Sequence, residues 1–217
     1  YTIVKSLYHE NKIPWENMMV SGFVTLKGEK MSKSKGNVIS PIEISDKYGT
    51  DALRMALAVG NTPGTDMNLD PQKVLAYKKF ANKVWNISRF VVENTVNTKD
   101  AEVKLSKEEK GYIAELNNIV SEVTKEIEKY HMYLAAEKLY HYIWHNVADK
   151  ILEESKDILN GSDEQARISR SHTLMLILKT SLKLLHPFMP FITEEIWTMI
   201  KSEKETLLII EKWPSTK

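Results

Sequence analysis

From Pro71 to about Glu205 the sequence is written in helical period, and that stretch decides the fold class. In its first part Val74, Tyr77, Ala81, Val84, Trp85, Ser88 and Val91 recur at three- and four-residue steps, the spacing that lines one face of an α-helix. Asp70-Pro71 supplies an N-cap followed by proline at the first helical position. A long amphipathic helix is therefore expected from Pro71 to about Asn97. Ser106 and Glu109 have the spacing of a capping box and open a second helix reaching about Tyr130. A third runs from about Met132 to Leu159 and stops at Asn160-Gly161. Ser162 caps a fourth, which ends at His186-Pro187. A fifth covers about Thr193 to Ser202, and "TLLIIEKWP" follows as a short extended tail. Five helices with short connections predict an all-α bundle.

Residues 1–70 have a different texture. "TIVKSLYHE" has the spacing of a helix end through Ile3, Val4, Leu7 and Tyr8, and "MMVSGFVTL" is a short apolar run suited to a buried strand. Ser40-Pro41 opens a short helix that Gly49 ends. Thr50 caps the next, with Asp51 in its first turn, where the helix dipole favours a carboxylate. This part predicts a mixed α/β piece beside the bundle.

Between strand and helix lies "GEKMSKSKGNVIS", Gly28 to Ser40. Four lysines fall between Lys27 and Lys35 in a chain whose 30 basic and 29 acidic residues nearly cancel. Global charge does not mark a polyanion binder, so local patches must carry any such role. A charge run of this kind is either a solvated loop or a phosphate site. Ammonium groups of Lys30, Lys33 and Lys35 are good point-charge partners for phosphate, and Ser32 and Ser34 can donate hydrogen bonds. The Walker A pattern is absent. So are cysteines, which removes disulfides and thiolate metal sites. No stretch approaches the roughly 20 apolar residues of a membrane span; "TLMLILKTSLKLL" is cut by Lys179 and Lys183.

The order of residues in the loop narrows the reading. "KMSKS", Lys30 to Ser34, extended by "KGN" and followed by "KYGTDALR", resembles the second signature of class I aminoacyl-tRNA synthetases and the segment after it. The resemblance implies a mainly α chain. Residues 1–70 would be the C-terminal part of a Rossmann-type catalytic domain, including the tRNA stem-contact region. Residues 71–217 would be an anticodon-binding helix bundle. It implies that Lys30 and Lys33 are catalytic: they contact ATP phosphates and stabilise the charge that moves onto pyrophosphate in amino-acid activation. Met31, Ser32 and Ser34 would complete that ATP site, with Met31 anchoring the loop and Mg²⁺ arriving with ATP. No metal-ligand set is expected in the chain itself.

"GNTPGTDMNLD" followed by "YKKFANKVWNISRFV" resembles the valine branch of the family more than its isoleucine and leucine branches, and "LLHPFMPFITEEIW" is similar to the signature near the end of the anticodon-binding domain in the same group. Valine and tRNA(Val) are then the implied substrates. In "YHYIWHNVADKILEESK" Asp149 is kept but its neighbours Ala148, Lys150 and Ile151 depart from that branch, which leaves the isoleucine branch open. Asn82, Asn86 and Arg89 share one helical face and either read tRNA or form a buried polar bridge. Phe90 either stacks on an unpaired base or packs in the core, and Trp85 is expected in the core. His186 is expected as a helix-end or packed turn residue and Asp51 as a helix-start residue. His141 and His145 lack a third ligand for zinc.

The chain begins at Tyr1 and lacks the family's His-x-Gly-His signature, inserted editing domain and C-terminal coiled coil. It is expected to be a fragment of a cytoplasmic, monomeric enzyme and to be inactive alone. The competing expectations are a non-catalytic tRNA-binding module and a helical scaffold with an incidental basic loop.

Overall fold

A computed structural model of the chain describes residues 1–26, 28–98 and 101–215, and the side chain of Lys33 lies outside that description. Helix α1 (Thr2–Glu10) leads into an extended stretch and a small sheet of β1 (Val24–Leu26), β2 (Glu29–Lys30) and β3 (Met67–Asn68). The strand order is β2-β1-β3. β1 runs antiparallel to β2, with Thr25 opposite Lys30, and parallel to β3, with Val24 opposite Met67. Before β1 the backbones crowd: a Cβ on Gly22 would lie 2.1 Å from the Thr65 carbonyl oxygen. Only glycine permits that approach.

The apolar run "MMVSGFVTL" is a strand over its last three residues only, and Met18, Met19, Val20 and Phe23 are exposed. The expected buried strand is therefore corrected. A buried strand needs a covering layer on each face, and the described residues supply none for this segment.

Helices α2 (Pro41–Tyr48) and α3 (Thr50–Ala58) follow the lysine loop. Ser40 stands at the N-cap of α2, but its side chain makes no capping bond. The N-cap of α3 is Gly49, not Thr50. Gly49 has φ 95°, a backbone region that disfavours other L-residues, and the two helices turn on it.

The bundle comprises α4 (Pro71–Asn94), α5 (Lys107–Glu128), α6 (Met132–His141), α7 (Leu152–Asn160), α8 (Glu164–Leu185) and α9 (Pro190–Ile200). A π-helical stretch, Tyr142–Ile151, joins α6 to α7 in one continuous rod. Asp70 caps α4 by accepting the Gln72 N–H, and Ser106 and Glu109 form the capping box of α5. The fourth bundle helix is capped by Asp163, one residue after the expected Ser162, through the Ala166 N–H. The last helix begins at Pro190, earlier than the expected Thr193. The tail forms a 3₁₀ turn, Leu208–Ile210, in place of an extended segment.

Helix α8 is the hub, packing against α4, α5, α6, α7 and α9. With neighbours on most sides it buries Leu174, Ile177, Leu178, Leu182, Leu184 and Leu185. Its apolar residues therefore surround it instead of forming one stripe. One core runs from Ile44 and Met55 on α2 and α3, through Phe80 on α4, to Trp197 and Leu208. Half-buried Lys179 and Lys183 on α8 pair with Glu205 at 2.6 Å and Glu211 at 3.0 Å and tie down the tail.

A charged cluster is buried beside the core. Arg170 is wholly buried and donates to Glu109 at 3.3 Å, to Ser155 Oγ at 3.0 Å and to Glu108. Glu109 also accepts the Ser169 hydroxyl and the Ser106 N–H. Burial alone would raise its carboxyl; the bonds from Ser169, Ser106 and Arg170 outweigh that and hold it below the usual glutamate range.

On α4 the buried line is Val74, Tyr77, Phe80, Val84, Ile87, Ser88 and Val91. Trp85, expected in the core, is 36% exposed. Phe80 takes the inward place, its ring centroid 4.9 Å from that of Tyr140 and 6.3 Å from that of Trp144.

Candidate functional site

The lysine loop grows out of the β1–β2 hairpin. Gly28 donates its N–H to Asn68 Oδ1 at 3.2 Å, which holds the hairpin tip over β3. Lys30 closes β2 and is exposed, its ammonium 4.1 Å from the Phe23 ring centroid. Met31 and Ser32 are half-buried. Lys33–Lys35 then form a single 3₁₀ turn.

Asn37 closes this loop. Its Oδ1 accepts the Ser32 N–H at 2.9 Å and its Nδ2 donates to the Lys30 carbonyl at 3.3 Å. Ser32 Oγ accepts the Lys35 N–H at 3.3 Å and lies 3.1 Å from Ser34 Oγ. One amide thus ties Lys30 and Ser32 to the far side of the loop, and both serine hydroxyls are engaged inside the loop. Asparagine is suited to such local turns because its side chain mimics a backbone amide. Lys35 lies 3.7 Å from Glu29, both well exposed, a pairing worth little in water.

The second group of expected site residues lies on α4. Asn82, Asn86 and Arg89 are exposed, which corrects the alternative of a buried polar bridge. Phe90 is half-buried against the core. Asn86 and Phe90 line a cleft of about 260 Å³ together with Lys83, Lys156 and Glu153. Lys83 pairs with Asp149 at 3.1 Å and lies 5.3 Å from the Trp144 ring centroid. The bond from Lys83, with lesser help from His145, holds the Asp149 carboxyl below its usual range. A partly apolar cleft beside amides and cations can take a flat base and a phosphate.

No hydrogen bond or ion pair among the described residues joins Lys30–Ser34 to the α4 face. The two are linked through α2 and α3. Lys78 on α4 donates to the Lys47 carbonyl at the end of α2, and Lys73 to the Val59 carbonyl at the end of α3. At the other end of α3, Asp51 accepts the N–H groups of Phe191 at 3.2 Å and Ile192 at 2.7 Å, capping α9. Arg54 donates to the carbonyls of Pro187 at 2.9 Å and Phe188 at 3.3 Å. Burial pushes the Asp51 carboxyl up, against the pull of those two amides and of Arg54. Sequence reasoning placed Asp51 at the start of its own helix and missed that it caps another. It assigned no role to Arg54 or Asn37.

His186 stands at the C-terminal end of α8, with Nδ1 2.8 Å from the Thr193 hydroxyl. Burial lowers its basicity. His141 and His145 stack with ring centroids 5.7 Å apart, and His145 Nδ1 lies 3.3 Å from Asp149. Among the described residues no group of three His, Cys, Asp or Glu is arranged to hold a metal ion. Among the same residues no helix is long and apolar enough to cross a membrane.

Known proteins match this arrangement along its whole length. Residues 109–217 match the family described as "Anticodon-binding domain of tRNA ligase", and residues 1–70 the family "tRNA synthetases class I (I, L, M and V)". The chain is 40% identical over 220 residues to the valine–tRNA ligase of Clostridium tetani, covering 99% of this chain and 25% of that protein. It is 39% identical to the valine–tRNA ligase of Geobacillus kaustophilus, with the same coverage. To that of Listeria innocua it is 40% identical, covering 98% of this chain and 24% of the relative. The chain thus spans about a quarter of the length of the curated relatives it matches. Among solved structures it is similar to the LeuRS of Agrobacterium radiobacter K84 in a ternary LeuRS-tRNA-LeuAMS complex. The TM-score is 0.71 at 24% identity, over 99% of this chain and 26% of that one. It is also similar to Mycobacterium tuberculosis methionyl-tRNA synthetase with methionyl-adenylate, with TM-score 0.69 at 20% identity over 81% of this chain and 36% of that one. At these identities the two structures speak for the fold.

Proposed function

The chain belongs to the class I tRNA synthetases, and we propose that it is part of a valine–tRNA ligase, a cytoplasmic monomer acting on ATP, valine and tRNA(Val). In that enzyme the valine carboxylate attacks the α-phosphorus of ATP and pyrophosphate leaves; the valyl group of the resulting adenylate then passes to the tRNA and AMP leaves. Residues 1–70 supply the lysine loop and the stem-contact part of the catalytic domain. Residues 71–217 form the anticodon-binding bundle.

Negative charge moves onto pyrophosphate as the bond to the α-phosphorus breaks. Ammonium groups carried to that charge on a preformed loop stabilise the transition state. Lys30 and Lys33 take this role, with Met31, Ser32 and Ser34 in the same ATP site. Mg²⁺ comes with ATP as part of the substrate; Glu29, the carboxylate nearest the loop, faces Lys35. The observation that carries the loop assignment is the Asn37 bridge, which ties Lys30 and Ser32 to the end of the loop. The valine assignment is supported by relatives of that name matching 98–99% of the chain. Asn82, Asn86, Arg89 and Phe90 are assigned to tRNA; the exposure of Asn82, Asn86 and Arg89 on α4, with Phe90 half-buried beside them, supports this.

The test is amino-acid-dependent ATP–pyrophosphate exchange and tRNA charging with the full-length protein. Valine should drive exchange and tRNA(Val) should be charged. Exchange driven by isoleucine and not valine would transfer the chain to the other branch. RNA binding without exchange would leave a binding module. On α4, Arg89→Ala should weaken tRNA(Val) binding by about 1–3 kcal/mol if it reads a base, with exchange unchanged.

A further inference from the structure

We propose that Asp51 and Arg54 are positioning residues: they lock the unit bearing the lysine loop onto the α8–α9 turn of the bundle, and this lock holds a tRNA bound by the bundle in register with the catalytic domain. The inference rests on the synthetase reading above and adds residues that lie outside both the loop and the α4 face.

Asp51 and Arg54 are three residues apart on α3 and so share one helix face. Between them they take both ends of a single turn. Arg54 satisfies the Pro187 and Phe188 carbonyls where α8 ends, and Asp51 satisfies the Phe191 and Ile192 amides where α9 begins. Helix ends leave such groups without internal partners, so the turn depends on α3 for four of its bonds. Asp51 is buried, which removes competition from water.

The packing of α3 on α4, within the apolar core that holds Met55 and Ala56, is non-directional and tolerates a slide. Four directed bonds to backbone do not. Lys73 and Lys78 add two more, at the far ends of α3 and α2. The tie reaches the loop by a short path: only Val38, Ile39 and Ser40 separate Asn37 from α2, and Gly49 alone joins α2 to α3. A rotation of α3 on the bundle would therefore carry the loop with it.

The experiment compares full-length enzyme with Asp51→Asn, Arg54→Gln and the double variant. Asp51→Asn keeps the shape but exchanges one acceptor oxygen for a donor amide facing the amides of α9. Positioning predicts that tRNA-charging kcat falls about tenfold or more, since small misplacements cost up to about a hundredfold. ATP–pyrophosphate exchange and the KM for tRNA should stay within about twofold, and the double variant should be no worse than the worse single one. Arg54→Lys, which keeps the charge but loses the planar fork, should fall between wild type and Arg54→Gln; it carries the test if Asp51→Asn does not fold. Exchange and charging falling in equal proportion would reduce the pair to a stability role and overturn the proposal. Unchanged charging would overturn it as well. A wild type that activates an amino acid other than valine would sink the valine reading alone, and the clamp is then measured with that amino acid and its tRNA. A wild type that activates none would overturn both.

Discussion

The two halves of the molecule bury their apolar residues very differently. In the bundle, Phe80, Leu182 and Trp197 are almost wholly enclosed by side chains of the same chain. In the first 26 residues, Val4 is 71% exposed, Val20 64% and Phe23 58%, although the sequence there is just as apolar. Helix α1 buries no residue at all. Helical period makes an element, but only a facing layer makes a core. The bundle contains its own facing layers. The front segment presents a local fold, and its fixed parts are those tied to the bundle by α2 and α3.

That contrast predicts where substitutions hurt. Arg170→Ala leaves Glu109 buried without its cation and should cost about 3–5 kcal/mol in denaturant unfolding. A loss under about 1 kcal/mol would mean water reaches that cluster. Leu182→Ala, at the hub of the bundle, should cost about 2–5 kcal/mol.

Acid should attack the bundle through Glu109. Its folded-state pKa lies below the ordinary value of 4.5. Its contribution is therefore complete above that value and is lost as pH falls through the lower, folded one. Glu109→Gln should flatten the fall in stability below about pH 4.5; an unchanged acid limb would contradict the assignment. Ser106→Ala removes one arm of the capping box and should cost about 1 kcal/mol. At the bottom of the scale, Val20→Ala should change the stability of this chain by less than about 0.5 kcal/mol. A cost above that would show that the exposed front is packed against something and would break the comparison.

The sequence was most legible where the deciding partners were near in the chain. Asp70-Pro71 and the Ser106–Glu109 box mark helix starts because cap and helix are local. Boundaries failed where the partner was remote. The last helix begins at Pro190, whose place at the first helical position is a local start signal, but its cap is the carboxylate of Asp51 from a remote helix, which "HPFMPF" does not carry. Trp85 was placed inward by its period, yet Phe80 has the aromatic neighbours Tyr140 and Trp144, supplied by the rod that follows α5. The strand in "MMVSGFVTL" was overextended because apolarity alone does not say whether a covering layer exists. In the candidate site the lysines were legible from their order, whereas the Asn37 bridge and the Asp51–Arg54 clamp are contacts that only the folded chain displays.

The central claim is that the loop from Lys30 to Ser34 serves the chemistry of ATP and does not serve to hold RNA. The direct test is Lys33→Ala in the full-length protein, read by valine-dependent ATP–pyrophosphate exchange and by tRNA(Val) affinity across a salt series. The account predicts that exchange falls about a hundredfold or more, with affinity and its salt slope unchanged. Exchange at the wild-type rate, with weaker tRNA binding and a salt slope lower by about one unit, would contradict it.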